Sequence, residues 1–276
     1  MRIAAVILAL AIAADWQPGV AAPALAIDGD AAIVTIFVRP EKAAEFDQLM
    51  ARLKASLGAS SNSVRRSQAA GWQVFKSIDR VQGNVVYLMR IDPAIRGQEY
   101  DLAKLIGESD PAAADGVTRS IRDAQAGRSL MVMNRVNIDG LGLPASGAAV
   151  NDNAAPPASL VQSFPDADAA VITVLVQPEH ASDYELVLAR MAKAMQASTM
   201  PLRKRQAAGW KVYKGSELLG GSVPYITMLD PVLPRSEYDP IRLIQEVFPS
   251  EVTDLYARYR AAYTGQAVVT LVAMNP

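Results

Sequence analysis

The stretch "RRSQAAGWQVFK" at residues 65–76 returns, little changed, as "RKRQAAGWKVYK" at residues 203–214. The same offset of 138 positions aligns residues 28–137 with residues 166–275 without a gap. About a third of the aligned positions are identical, which indicates an internal duplication. The fold is therefore predicted to contain two copies of one unit.

The N-terminus has the pattern of an export signal. Arg2 supplies a positive charge, and the apolar run "IAAVILALAIAA" at residues 3–14 is too short to cross a bilayer. Small residues allow cleavage after Ala22 or after Ala26, and an uncleaved anchor close to the membrane is the alternative. We expect a signal peptide over residues 1–26, and a periplasmic or secreted protein with no membrane contact after cleavage.

The rest of the chain divides into two repeats and a spacer. "GLGLPASGAAVNDNAAPPAS" at residues 140–159 consists mainly of Gly, Ala, Pro, Asn and Ser, and it cannot bury enough apolar surface to fold. We therefore predict a first repeat at residues 27–138, a linker at residues 139–164 and a second repeat at residues 165–276.

Composition excludes several kinds of site. The chain of 276 residues has no cysteine, and His180 is its single histidine, so disulfides, iron–sulfur clusters and thiolate or imidazole-rich metal sites are excluded. The formal net charge of −1 gives no basic surface for nucleic acid. We expect no metal and no cofactor.

Each repeat shows the order strand, helix, strand, strand, helix, strand. The β-branched runs at residues 31–38 and 169–176 predict first strands, and the Pro-Glu pairs at residues 40–41 and 178–179 suit the first turn of a helix. This order predicts the α+β class and the split βαβ, or ferredoxin-like, unit. In that unit, helices cover one face of an antiparallel sheet.

A family resemblance rests on few letters in each copy: "GWxVxK" at the second strand, a tyrosine in the third, then "DP" and "EYD". This pattern resembles the dimeric α/β barrel superfamily, which includes antibiotic biosynthesis monooxygenase-like and stress-response domains. The resemblance implies that two ferredoxin-like βαββαβ repeats pair their sheets into a fused pseudo-dimeric α/β barrel. Further assembly into a homo-oligomer is left open.

Strand alternation provides a candidate ligand site, because alternate residues share one face of a sheet. We place Trp72, Lys76 and Tyr87 on the face without helices, near Thr35, with Arg65 as an anion contact on a loop before the strand. The predicted ligand-binding residues are thus Thr35, Arg65, Trp72, Lys76 and Tyr87, with their counterparts Thr173, Arg203, Trp210, Lys214 and Tyr225.

Structural roles for the same residues stay open beside this hypothesis. Trp72 and Trp210 also suit a plain core, because aromatic side chains bury a large apolar area. The lysines suit the solvent edge, since buried lysine is rare unless it is paired. The arginines suit a solvated loop.

Three classes of function fit these residues. The first is an exported small-molecule-binding or stress-associated protein, with a cavity in each repeat for a small, partly apolar or anionic ligand. The second, implied by the resemblance, is a cofactor-free monooxygenase or isomerase that uses the same cavity. The third is a structural or interaction module without a ligand. No catalytic residue is assigned, and whether the protein is an enzyme stays open.

Overall fold

The computed structural model describes residues 25–138, apart from 110 and 113, and residues 163–274, apart from 235. Residues 1–24 of the predicted signal peptide and most of the predicted linker lie outside this part of the chain. The described residues form two compact units: unit 1 contains those up to 134 and from 271 on, and unit 2 contains those between 135 and 270.

Unit 1 contains the predicted order of strands and helices, with further helices before its second and fourth strands. Its elements are β1 (Ala31–Val38), α1 (Ala43–Gly58), α2 (Ser63–Gly71), β2 (Trp72–Ser77), β3 (Val85–Ile91), α3 (Leu102–Ser109), α4 (Ala114–Ala124) and β4 (Gln125–Arg135). The strands lie in the order β4-β1-β3-β2, and each neighbouring pair is antiparallel. Near the chain end, Leu271 to Ala273 pair with β2.

Unit 2 has the same order of elements. They are β5 (Ala169–Val176), α5 (Ala181–Ala197), α6 (Pro201–Gly209), β6 (Trp210–Gly215), β7 (Val223–Leu229), α7 (Pro240–Val247), α8 (Val252–Ala262) and β8 (Tyr263–Ala273). The strand order is β8-β5-β7-β6, and β7 is antiparallel to both β5 and β6. Each unit is therefore a mixed α+β structure.

One face of each sheet packs against the helices. In unit 1, Val34 and Ile36 of β1 lie in one apolar core with Phe46, Met50 and Leu53 of α1. The helical spacing of these α1 residues explains the contact, because it places them on a single stripe. The corresponding core of unit 2 contains Ile172, Val174, Tyr184, Leu188 and Met191.

The opposite face of each sheet is also buried. In unit 1 it carries Phe37, Phe75 and Leu88, and in unit 2 it carries Tyr213 and Ile226. Because both faces exclude water, the strands read as nearly continuous apolar runs rather than as a clean alternation of apolar and polar residues.

The two glycines of the repeated motif, Gly71 and Gly209, lie where backbones approach closely. A Cβ at Gly71 would lie 2.7 Å from the carbonyl oxygen of Pro93, and one at Gly209 would lie 3.1 Å from that of Asp230. At Gly71 no side chain fits between the end of the helix and the Asp-Pro turn, and at Gly209 a side chain would force the neighbouring backbone to shift by a few tenths of an ångström. This packing explains one repeated letter of the motif.

None of the helices in the described ranges combines the length and the apolar character needed to cross a bilayer.

Candidate functional site

The sheet face that was predicted for the tryptophan, lysine and tyrosine side chains is wrong. In unit 1, Tyr87 pairs with Ile36 on one side and with Lys76 on the other, so these three share a face. Ile36 belongs to the core under the helices, and Trp72 and Tyr87 lie in that same core. The predicted wall of a cavity on the helix-free face is therefore packed between the sheet and the helices.

Register explains the error. Thr35 pairs with Leu88, so its side chain lies on the face opposite Tyr87. A pairing shifted by one residue moves every side chain of a strand to the other face, and because both faces of these strands are largely apolar, their hydrophobic pattern does not specify the register. The structure therefore brings Trp72, Lys76 and Tyr87 to one face and leaves Thr35 out.

Unit 2 repeats this arrangement. Tyr225 pairs with Val174 and with Lys214, and Trp210 lies with Val174 in the core under the helices. Thr173 pairs with Ile226 and is on the opposite face. The same correction therefore applies to Trp210, Lys214 and Tyr225, which share a face without Thr173.

The lysine and tyrosine of unit 1 meet at a carboxylate that sequence reasoning missed. The Tyr87 hydroxyl donates to Asp47 Oδ1 at 2.5 Å, and Lys76 Nζ donates to Asp47 Oδ2 at 2.9 Å. Lys76 Nζ also lies 5.1 Å from the centre of the Tyr87 ring. Asp47, on α1, thus joins the first helix to β2 and β3.

Unit 2 builds the same triad with a longer acid. Glu185 Oε1 accepts hydrogen bonds from the Tyr225 hydroxyl at 2.5 Å and from Lys214 Nζ at 3.1 Å. Lys214 Nζ lies 5.5 Å from the centre of the Tyr225 ring. A signal was available, because Asp47 and Glu185 are acidic residues at matching positions of the two repeats.

The triad tyrosines are held in their neutral form. Burial, and then the hydrogen bond to Asp47, raise the pKa of Tyr87 well above its ordinary value. Burial and Glu185 raise the pKa of Tyr225 in the same way. Each hydroxyl donates its proton to a carboxylate, so the arrangement fastens a helix to the sheet and does not provide a tyrosinate base.

Arg65 lies on α2, not on the loop that was predicted. Its Nε donates to Glu108 Oε2 at 2.9 Å and its Nη2 donates to Glu108 Oε1 at 2.8 Å. Its Nη1 donates to Gln68 Oε1 at 2.6 Å, and Gln68 Nε2 donates to the Glu99 carbonyl at 2.9 Å. The guanidinium fork is therefore engaged by a carboxylate of α3 and joins two helices.

Arg203 of α6 does the same in unit 2. Its Nη2 donates to Glu246 Oε2 at 2.6 Å, and its Nη1 donates to Gln206 Oε1 at 2.7 Å. Gln206 Nε2 in turn donates to the Glu237 carbonyl at 2.8 Å. The hypothesis of anion capture by the arginines is therefore replaced by a structural role, which explains why arginine, glutamine and glycine recur together.

A cavity of about 360 Å³ lies beside Trp210 in unit 2. It is bordered by the end of α5, by α6, by the start of β6 and by the segment that follows β4. Its lining residues are Arg135, Val136, Asn137, Ile138, Ala192, Met195, Gln196, Ala207, Trp210, Lys211 and Val212. Most of these are apolar, and polar groups from Asn137 and Gln196 border the same space.

Trp210 also borders a smaller cavity, of about 20 Å³, between the sheet and the helices of unit 2. Hydroxyl-bearing side chains contribute much of its lining, from Tyr184, Thr227, Tyr238 and Tyr259. A space of this size holds no more than a water-sized group. The Nε1 donor of Trp210 is buried and has no hydrogen-bond partner among the described residues.

Trp72 in unit 1 borders a small cavity that corresponds to the one of about 20 Å³ in unit 2. It measures about 10 Å³ and is lined by residues that include Leu57, Gln68 and Tyr100. Lys54 stands at the position of Ala192, and Met274 stands at the position of Val136. Both replacements are larger, so unit 1 carries bulkier side chains at these two positions.

The described residues contain no cluster of three or more histidine, aspartate or glutamate side chains placed to hold a metal ion.

Comparison with known proteins gives no family. No family model matches the sequence, and no curated protein matches it. Among solved structures, a proposed monooxygenase from Fusobacterium nucleatum subsp. nucleatum has a TM-score of 0.44 at 9% identity, over 89% of this chain and 92% of that chain. A second proposed monooxygenase, from Lactobacillus acidophilus NCFM, has a TM-score of 0.43 at 8% identity, over 89% and 95%.

A heme-binding protein from Thermus thermophilus has a TM-score of 0.35 at 11% identity, over 92% of this chain and 96% of that chain. These scores are too low to carry the chemistry of any of the three proteins over to this chain.

Proposed function

We propose that this protein is an exported small-molecule-binding protein, and that its ligand site is the cavity beside Trp210 in unit 2. The cavity volume of about 360 Å³ carries this proposal. Pockets for small ligands commonly enclose about 300–1,000 Å³ and are lined mainly by apolar and aromatic side chains with a few polar groups. The Trp210 site has this size and this composition.

The lining indicates a ligand with a flat, apolar body. Val136, Ile138, Ala192 and Met195 supply apolar contacts, and the Trp210 indole supplies an aromatic surface.

The positive charges beside the cavity are a weaker argument that the ligand is anionic. Arg135 and Lys211 border the cavity, but Lys211 follows Trp210 directly in β6, so the two side chains project to opposite faces of the sheet. We therefore propose a partly apolar ligand and leave its anionic character to experiment.

We also propose that each unit is a ferredoxin-like repeat. The element order of each unit and its strand order, β4-β1-β3-β2 and β8-β5-β7-β6, support this assignment. The fused pseudo-dimeric barrel stays a prediction from the sequence.

The alternative of a cofactor-free monooxygenase or isomerase has less support. Tyr87 and Tyr225 were the proton-transfer candidates for it, with the lysines. Both tyrosines donate to carboxylates and have raised pKa values. A group that holds its proton this firmly is a poor general base near neutral pH.

A fluorescence titration with N-phenyl-1-naphthylamine, a neutral aromatic probe, tests the ligand site. We expect one probe to bind per chain, and we expect Ala192→Lys to weaken binding by about tenfold or more, because the longer side chain enters the cavity. Lys54→Ala in unit 1 is the matched control and should leave the affinity unchanged. Undiminished binding to the Ala192→Lys chain, with an unchanged thermal midpoint, contradicts the proposed site.

The sulfonated analogue, 1-anilinonaphthalene-8-sulfonate, separates charge from apolar contact in the same assay. Binding about tenfold tighter than that of the neutral probe, weakened by added salt, would show that the site favours an anion. Equal binding of the two probes would restrict the proposal to the apolar part of the ligand.

A further inference from the structure

The first described residues of the chain belong to the body of unit 1. Leu25 is 3% exposed and Ile27 is fully buried, and both lie in the core that contains α1 and the helix-covered face of the sheet. Ala26, between them, is exposed, as expected for a short extended segment. The core of unit 1 therefore extends toward the N-terminus beyond β1.

Main-chain hydrogen bonds hold this segment against residues 97–100. The Leu25 N–H donates to Glu99 Oε1 at 2.8 Å, and the Tyr100 N–H donates to the Leu25 carbonyl at 3.0 Å. The Gly97 N–H donates to the Ile27 carbonyl at 3.0 Å. Ala26 forms an antiparallel bridge with Glu99. Residues on both sides of the Ala26–Ile27 peptide bond are thus part of the fold.

The contact with Leu25 contributes to the lowered pKa of the Glu99 carboxyl group. Burial acts to raise the pKa of Glu99, but hydrogen bonds from Lys104 and from the Asp101 and Leu25 N–H groups outweigh it and lower that pKa. Loss of the Leu25 nitrogen would remove one of the donors that stabilise this partly buried carboxylate.

In unit 2, an apolar residue from the interior of the sequence covers the corresponding part of the core. Phe164 aligns with Ala26, is buried, and its ring centre lies 5.9 Å from that of Tyr238, the counterpart of Tyr100. Both units thus place an apolar side chain ahead of the first strand, next to the segment that precedes α3 or α7. A unit 1 that began at Ile27 would lack this cover.

Neither of the two signal cleavage sites predicted from the sequence, after Ala22 or after Ala26, is favourable. Cleavage after Ala26 would remove the buried Leu25 side chain, and with it two hydrogen bonds. Ala22 is followed by Pro23, so the bond after Ala22 joins a proline nitrogen that carries no hydrogen and restricts the residue before it. The bond after Ala24 avoids both difficulties.

We propose that the export signal is removed after Ala24, so that the mature protein begins at Leu25. This inference rests on the export that is part of the proposed function. Ala22 and Ala24, separated by one residue, supply the small residues that a signal peptidase site requires. The peptidase would hydrolyse the Ala24–Leu25 bond with water, which leaves a carboxylate on Ala24 and an ammonium group on Leu25.

The physical reason is that this cleavage preserves every described contact of Leu25. The side chain stays in the core, and the carbonyl still accepts from the Tyr100 N–H. The new ammonium group replaces the amide donor 2.8 Å from Glu99 Oε1, and a hydrogen bond between two charged groups is stronger than one from a neutral amide.

Intact mass and N-terminal sequencing of the protein, exported by a bacterial host from the full-length gene, test the inference. We expect a first residue of Leu25, and any other first residue, Pro23 and Ile27 included, overturns the proposed site. Persistence of Met1 in every cell fraction would overturn export itself and this inference with it. The ligand titration is independent of both results.

A matched pair of variants sharpens the test. Ala22→Asp places a charge two residues before Ala24, in the proposed recognition sequence, and should make the uncleaved precursor accumulate. Ala26→Asp changes the other candidate site and should be processed like the unaltered chain. If Ala26→Asp blocks processing and Ala22→Asp does not, the proposed site is wrong.

Discussion

Trp72 and Trp210 occupy matching positions at the start of β2 and β6, yet their surroundings differ. Between the sheet and the helices, Trp72 borders a cavity of about 10 Å³ and Trp210 borders one of about 20 Å³, and Trp210 also borders the cavity of about 360 Å³. In that larger cavity Ala192 stands where unit 1 has Lys54. The lysine–carboxylate–tyrosine triads, in contrast, are nearly the same in both units.

This comparison separates residues that are repeated because folding needs them from residues that form the candidate ligand site. The triads and the Arg65 and Arg203 contacts maintain the same helix-to-sheet and helix-to-helix joints in both units, so their repetition reflects folding. The cavity combines residues shared by both units, such as Trp210 and Val212, with positions where the units differ, such as Val136 and Ala192. In a duplicated chain, a binding site is therefore better sought where the copies diverge around a shared framework than among the shared residues themselves.

The largest expected effect follows from removing the tryptophans. We expect Trp72→Ala to cost about 3–5 kcal/mol of the free energy of unfolding and Trp210→Ala to fall at the lower end of that range, because part of its surface already faces a cavity. Urea unfolding followed by circular dichroism measures both values. A larger loss for Trp210→Ala would contradict the difference in packing.

The triads test whether equal geometry in the two units gives an equal contribution to the free energy of unfolding. Tyr87→Phe and Tyr225→Phe should each cost about 1.5–3 kcal/mol, since each removes a hydrogen bond to a charged acceptor. The same unfolding measurement applies. Lys193→Ala, on α5 but outside the triad, is a control that should change stability little.

The ion pairs of Arg65 and Arg203 are expected to contribute less to stability than the triads, because their carboxylate partners are partly exposed. Arg65→Lys and Arg203→Lys keep the charge but lose the two-pronged contact with Glu108 or Glu246. We expect losses of about 1 kcal/mol in each unit, measured as a shift of the thermal midpoint. An anion-binding role would instead appear as a change in affinity for the sulfonated probe, with stability unchanged.

The smallest effect concerns acid and the Glu99 carboxylate of unit 1. The pKa of Glu99 is lowered from 4.5 in the folded protein, so its contribution to stability is present above that pH and is lost as the pH falls through the folded pKa. The Asp101 amide, which donates to Glu99 Oε1 at 3.0 Å, should therefore lose its charged acceptor below about pH 4.5. A titration of that amide by NMR measures the change.

The variant Glu99→Gln is the control for this titration. An amide side chain does not ionise in this range, so the acid-dependent change at Asp101 that arises from Glu99 should disappear. A midpoint above 4.5 in the unaltered protein would contradict the lowered pKa.

Part of this structure could be read from local patterns. The β-branched runs located β1 and β5 within the observed bounds, Ala31–Val38 and Ala169–Val176. The helical stripe that starts at Phe46 located the buried side of α1. Helix α2, with its arginines, was missed because its short polar sequence has no apolar stripe long enough to identify it.

The candidate site could be predicted only in part. Trp210 was named, but its partners in the cavity, such as Ala192 and Ile138, were not. They come from elements far apart in the sequence. Asp47 was missed for the same reason, since it lies 29 residues from Lys76 and 40 from Tyr87. Matching acids in two repeats were the single signal that pointed to it.

By itself, the sequence determined the duplication, the α+β class, the absence of cysteine chemistry and the positions of most strands, because these depend on composition and on short-range periodicity. Only the tertiary structure decided which face of each sheet meets the helices, which carboxylate joins Lys76 to Tyr87, and where a cavity opens. Strand periodicity shows that two faces exist, but the pairing register, a long-range property, determines which side chains share each face.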